Sequence, residues 1–192
     1  MAIKPVELHK SFRLLNHGPT TMISTKHNGV ENVMSASWVG LVNIVPARVS
    51  LVLGKEAFTR ELIEKSGYFA IQVPTATQAK QVLDMGESRK TNSNKLDKIE
   101  LFYQPEFDVP LVAGCAAWLI CKVLSETEFQ QKYDIFLANV VGAWADNRVF
   151  SNGHWHFDES PDELHTLHYI AGGQFYTTGK GINLKEHPYA IG

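Results

Sequence analysis

Cysteine is scarce in this sequence. Cys115 and Cys121 are the only two among 192 residues, and both lie in the apolar run CAAWLICKVL. Read as a strand, that run puts the two thiols on one face, roughly 20 Å apart at about 3.3 Å per residue. They cannot pair with each other while the strand is straight, and they read as two buried free thiols. An excess of one charge sign is also missing. The 18 Lys and Arg against 20 Asp and Glu leave a net charge of −2, so there is no general electrostatic case for nucleic acid or an anionic membrane. No apolar run approaches the roughly 18–20 residues that cross a bilayer. The opening MAIKPVELHKSFRLL has neither the apolar core nor the small-residue cleavage site of a signal peptide. A cytoplasmic protein without nucleic acid or membrane as partner is the default expectation.

What is present is an ordinary globular composition, 44% hydrophobic and 20% charged, in a length that suits one domain spanning 1–192 with its core over about 8–180. VELHKSFRLLNHG predicts a short helix that stops before Pro19. TTMISTKHNGVENVMSASW predicts two strands joined at Asn28-Gly29, a strong hairpin signal. ARVSLVLG (47–54) and YFAIQVP (68–74) read as strands. EAFTRELIEKSG (56–67) reads as a helix with Phe58, Leu62 and Ile63 on one face, and TATQAKQVLDMG (75–86) as a helix capped by Thr75. Residues 87–99 form a polar loop. Two long strands are expected over 113–129 and 134–147, then a short helix and a Gly-rich turn within 161–180. Strands and helices do not alternate regularly, and no Gly-x-Gly-x-x-Gly follows a strand. The pattern favours a mainly β fold with short helices, a closed or split antiparallel barrel, over a parallel dinucleotide-binding sheet.

The chemistry-bearing residues are dispersed but complementary. In NVMSASW (32–38), Ser35 and Ser37 point to one face and Met34, Ala36 and Trp38 to the other. Side chains this small let a ligand approach the backbone. VLGKEAFT leads from a strand into a helix, and helix N-termini bind phosphate through free N–H groups and a favourable dipole. Thr59 stands in that first turn. GESRKT adds Ser88, Arg89, Lys90 and Thr91, hydroxyls and cations suited to a phosphate. Each has an ordinary reading too: Ser35 and Ser37 facing solvent, Thr59 an incidental helix residue, ESRK a solvated loop, Trp38 a core residue. The residues by themselves lead to an anion-binding β protein. A rival constellation is HWH (154–156) with HTLH (165–168), where His154, His156, His165 and His168 could form a zinc site.

The stretch NVMSASWVGLVNIVPARVSLVLGKEAFTRELIEKSGYFAIQVP resembles the core of the flavin reductase-like, FMN-binding split-barrel family. The closing LHYIAGGQFYTTGK resembles the family's flavoredoxin branch. The resemblance implies a Greek-key-like antiparallel split barrel, an FMN near a homodimer interface, and hydride transfer from NAD(P)H to flavin or electron passage to a redox protein partner. By position it implies that Asn32 and the segment Met34, Ser35, Ala36, Ser37 and Trp38 contact the ring and ribityl chain. Leu53, Gly54 and Thr59 would also line the cofactor, with Thr59 at the phosphate. Ser88, Arg89 and Lys95 would complete the anion site, with the choice among Arg89, Lys90 and Lys95 left open. Asp134 and Tyr169 would lie near the flavin. Such a protein needs no catalytic acid or base of its own, because flavin carries the redox chemistry. The same site without NAD(P)H oxidation would make a flavin electron carrier.

Overall fold

The computed structural model describes residues 2–184 and 186. Its strands are β1 (Ile3–Pro5), β2 (Thr21–His27), β3 (Val30–Ala36), β4 (Val39–Asn43), β5 (Arg48–Val52), β6 (Tyr68–Val73), β7 (Leu101–Phe102) and β8 (Leu111–Val112). There follow β9 (Ala117–Val123), β10 (Ile135–Asp146), β11 (Phe150–Ser151), β12 (His154–Trp155), β13 (Leu167–Ala171) and β14 (Gln174–Thr177). The α-helices are α1 (Phe58–Ser66), α2 (Ala79–Met85) and α3 (Thr127–Tyr133).

The hairpin β2–β3 forms where the Asn-Gly signal puts it. Asn28 and Gly29 both take positive φ, 48° and 77°, the geometry of the tight turn whose twist matches antiparallel strands. Register then runs from His27↔Val30 to Thr21↔Ala36. The main sheet is antiparallel throughout, in the order β3-β2-β6-β9-β10-β5-β4, with β1 added to β10. Strand β10 is long enough to serve β9, β5 and β1, and it bends at a bulge between Val140 and Gly142. A glycine suits that bulge, because a Cβ at Gly142 would run into the Trp144 ring.

Period-2 alternation sorts the strand residues into two cores. Ile23, Val49, Leu51, Ile71, Leu119, Phe136 and Ala138 share an inner cluster, with Met34, Ala36 and Val39 packed on it. Met22, Val33, Ala70, Trp118 and Ile120 face the other way, under Val82 and Met85 of α2 and Leu111 of β8. The inner cluster draws on both ends of the strand order, so the sheet wraps around it. Yet β3 pairs only with β2, and β4 only with β5. The chain passes from one edge to the other through Ser37 and Trp38 alone. This is a split barrel, mainly β with short helices.

Several boundaries differ from the sequence reading. The expected strand 113–129 ends at Val123, and α3 follows. Leu124 still donates to Leu137, but β9 and β10 are antiparallel neighbours, so the eleven residues between must reverse direction, and Thr127–Tyr133 do so as a helix. The first element and the start of the 75–86 segment are 3-10 turns, at Leu8–Leu14 and Ala76–Gln78. The tail holds a 3-10 turn, Asp162–Leu164, and then a two-stranded hairpin, β13–β14, closed by Gly172 and Gly173 at positive φ. No helix among the described residues is long and apolar enough to cross a membrane.

Candidate functional site

Helix α1 begins with little help from its own side chains. Its N-cap is Ala57, which makes no side-chain cap. Ala57 N–H closes a turn onto Gly54 O at 3.1 Å, and Arg60 N–H closes onto Ala57 O at 3.0 Å. The N–H groups of Phe58 and Thr59 precede the helix's own acceptors and meet no other backbone carbonyl among the described residues. Thr59 is sealed at 1% exposure, and its Oγ1 accepts from Asn32 Nδ2 at 2.7 Å across to β3. Asn32 is itself buried, and its Oδ1 has no partner.

The loop after α2 arrives at the same helix end. The Arg89 guanidinium lies 5.9 Å from the Phe58 ring centroid, a favourable cation–aromatic contact. Its Nη1 is buried without a hydrogen-bond partner. Lys90 Nζ donates to Glu56 O at 3.3 Å, tying the loop to the turn ahead of α1. Ser88 shapes the loop: its Oγ accepts the Lys90 N–H at 3.2 Å, and its carbonyl accepts from Thr91 and Asn92. Lys95 is placed differently. It is 1% exposed, and its Nζ donates to Met85 O at 3.1 Å and Glu87 O at 2.7 Å, satisfying carbonyls at the end of α2. Burial, and next the charge of Arg89, push its pKa down to about 8.

The rest of the expected set lines the split or lies near its ends. Met34 and Ala36 pack on the inner core. Ser35 donates to the Val82 carbonyl of α2. Trp38 is 73% exposed, against the core role open to it in the sequence. Tyr169 N–H donates to Thr20 Oγ1 at 2.7 Å, and the next residue, Thr21, is registered with Ala36. Tyr169 therefore stands beside the C-terminal end of β3, its ring against Phe175 at 5.3 Å.

Leu53 and Asp134 belong to a hub that the sequence did not disclose. Arg60, 3% exposed, donates to Leu53 O at 2.8 Å, Gln130 O at 2.7 Å, Asp134 at 2.5 Å and Glu64 at 2.9 Å. Leu53 N–H returns a bond to Asp134 O at 2.9 Å. One guanidinium thus fixes the loop after β5, α3 and the start of β10. The sole sequence signal was the i, i+4 pair with Glu64.

The four rival histidines do not converge. His165 Nδ1 and Nε2 meet Thr178 O at 2.8 Å and Phe157 O at 3.0 Å, His168 Nδ1 meets Gly18 O at 3.1 Å, and His156 Nε2 meets Ser151 Oγ at 2.9 Å. His165 ends a 3-10 turn while His168 stands in β13, so they do not share a helix. No group of three or more His, Cys, Asp or Glu able to hold a metal is found among the described residues. A cavity of about 700 Å³ lies away from α1, bounded by Phe157, Asp162, His165 and Thr178. Both cysteines are buried and free, with pKa values pushed far up by burial, so they are unreactive thiols.

Residues 13–175 match the flavin reductase like domain. The chain belongs to that family. A crystal structure of an FMN-binding domain of a flavin reductases-like enzyme from Shewanella baltica superposes with a TM-score of 0.93 at 49% identity, over 95% of this chain and 97% of that one. An uncharacterized protein of Escherichia coli K12, YddH, is 39% identical over 93% of this chain and 96% of its own length. The flavoredoxin of Methanosarcina acetivorans shares the fold, with a TM-score of 0.73 at 23% identity over 90% of this chain and 92% of that one.

Proposed function

We propose that this flavin reductase-like chain binds FMN, with the phosphate at the N-terminus of α1 and the ring along Ser35 to Trp38, and works as an oxidoreductase. The observation that carries this reading is the set of unmet donors in one place. The N–H groups of Phe58 and Thr59, the buried Nη1 of Arg89 and the hydroxyl hydrogen of Thr59 lack acceptors among the described residues. A phosphate supplies the acceptors that such donors need. The residues therefore fit the group. The family membership and the Shewanella baltica relative, an FMN-binding domain, support the same choice.

Bound flavin would supply the two-electron chemistry. The residues of the chain bind and orient it. Arg89 neutralises phosphate charge while Phe58 supports its guanidinium. Asn32 and Trp38 lie six positions apart, up to about 20 Å of extended chain, room for an extended nucleotide along the end of β3 and the link after it. Strand β3 offers small side chains, and the exposed Trp38 and Tyr169 flank its far end. There the ring would stay open to a nicotinamide donor, NADH or NADPH, without a dinucleotide-binding domain. The acceptor is flavin or a redox protein partner.

A homodimer belongs to the same proposal. Strand β4 is an edge, and Trp38, Val42, Ile44 and Val45 are 73%, 50%, 49% and 72% exposed. An uncovered apolar edge is a liability in a monomer, and a second copy would bury it beside the ring end of the site.

An absorbance spectrum of purified protein, followed by anaerobic NADH and then NADPH, tests the function. Flavin bands that bleach with one nucleotide are the expected result. Bands that persist with both would point to an electron carrier instead. Absence of retained flavin after FMN loading and desalting would overturn tight FMN binding.

A further inference from the structure

The bond between Asn32 and Thr59 has a direction, and the direction matters. A threonine hydroxyl has one hydrogen to give and two lone pairs to receive. Asn32 Nδ2 takes the receiving side at 2.7 Å. The hydrogen of Thr59 is then left without an acceptor among the described residues, in a side chain that is 1% exposed. Asn32 is 2% exposed, and its Oδ1 is also buried without a partner. Two buried polar demands at one contact, one donor and one acceptor, are costly in a folded protein. They adjoin a helix end whose first N–H groups are unpaired as well. With the amide turned the other way, Thr59 would give its only hydrogen to Asn32, and an amide NH₂ would become the buried orphan.

We infer that Asn32 is a positioning residue for the anion. By occupying a lone pair of Thr59, it turns the Thr59 O–H away from β3, so that this hydroxyl gives its hydrogen to the phosphate. Its Oδ1 is left to accept from a ribityl hydroxyl of the same molecule. The inference rests on the FMN reading above and assigns the polarity of one bond within it.

The test is the ratio of riboflavin to FMN dissociation constants, read by flavin fluorescence, because only FMN carries the phosphate. The wild-type ratio should be well above unity. Asn32→Asp keeps the shape but offers Thr59 an acceptor, which captures its hydrogen. The ratio should fall about tenfold or more, the scale of a hydrogen bond to a charged group. Asn32→Ala separates this effect from the added charge. It should lower the ratio in the wild-type background and leave it unchanged in a Thr59→Val background, since the hydroxyl it orients is already gone. A purely structural asparagine would weaken both flavins alike or give additive losses, and either result overturns the inference. The same holds if both variants, folded by their urea midpoints, keep the wild-type ratio. A wild-type ratio near unity would instead sink the phosphate site itself.

Discussion

Arg60 makes the most exacting test of how this fold is held. Replacing it with Met keeps much of its aliphatic length but removes all four bonds of the guanidinium. Glu64 and Asp134 have side-chain exposures of 39% and 37%, so water can take over part of their solvation. The carbonyls of Leu53 and Gln130 sit in residues only 3% and 7% exposed, so they would be left nearly dry. A buried acceptor without a partner costs about 1–3 kcal/mol and two are left, while each half-exposed carboxylate contributes at most about 1 kcal/mol. These overlap rather than add, and the expected loss is about 3–5 kcal/mol. For a chain of this size that lowers Tm by roughly 6–20 °C, and it shifts the urea midpoint by roughly 2 M at unchanged slope. Equilibrium urea unfolding of the apoprotein is the assay. Glu64→Gln is the control, because it removes only the half-exposed partner and should cost less than about 1 kcal/mol. If Arg60→Met costs no more than Glu64→Gln, the hub is ornamental. The loop of Leu53 and Gly54 must then be held by something else.

Three further outcomes follow from named contacts. Arg89→Ala should weaken FMN binding by about 10–100-fold and leave riboflavin affinity nearly unchanged; equal losses for both flavins in fluorescence titrations would remove Arg89 from the phosphate. Burial, and next the charge of His168, push the pKa of His17 down to about 4. Its neutral form is therefore the stable one, and stability should be lost as pH falls from about 6.5 towards 4, by at most about 3 kcal/mol. A His17→Gln variant should flatten that part of the urea-midpoint profile, and an unchanged profile would refute the assignment. Val45→Glu places a charge on the exposed apolar edge and should convert a dimer to monomer in sedimentation velocity; a wild-type protein that already sediments as a monomer would refute the interface.

Local signals were legible where the physics is local. Asn28-Gly29 can form its turn with almost no help, so the first hairpin appears at the expected place. Thr59 stands out as a candidate because a helix N-terminus after a strand is a donor-rich point in any fold, and Arg89 because a polar loop rich in hydroxyls and cations follows; the structure brings that loop to the same helix end. What failed was long-range. Arg60 looks like a solvated helix residue, yet it bonds Asp134 and Gln130, 74 and 70 positions away, and no pattern in α1 encodes them. Lys95 looks like a solvated loop cation, but its ammonium is buried on the carbonyls of Met85 and Glu87. His165 and His168 have helical spacing, but Thr166 bridges to Thr75 and Leu167 opens β13. Tertiary pairing overrode the period.

The small residues before Trp38 make sense only from the sheet order. Strands β3 and β4 are neighbours in sequence but occupy opposite ends of the path around the barrel. The two residues joining them must cross the gap where no strand pairs. Large side chains on β3 would fill that gap against the inner core and α2. Ser35 instead turns to the Val82 carbonyl and Ala36 barely protrudes, so Met34 to Ala36 stay only half-buried. Trp38 comes at the crossing itself, where no strand covers it, and so it is the most exposed tryptophan-sized surface next to that opening. The same chain crossing therefore leaves small, half-buried side chains on β3, the slot proposed for the ring, and an exposed apolar rim beside them. A ring bound in the slot and a second copy on the rim would bury complementary halves of one surface, which ties cofactor retention to dimerisation: Val45→Glu should lower FMN affinity as well as dissociate the dimer. If the monomer it produces holds FMN as tightly as the wild type, slot and rim are independent.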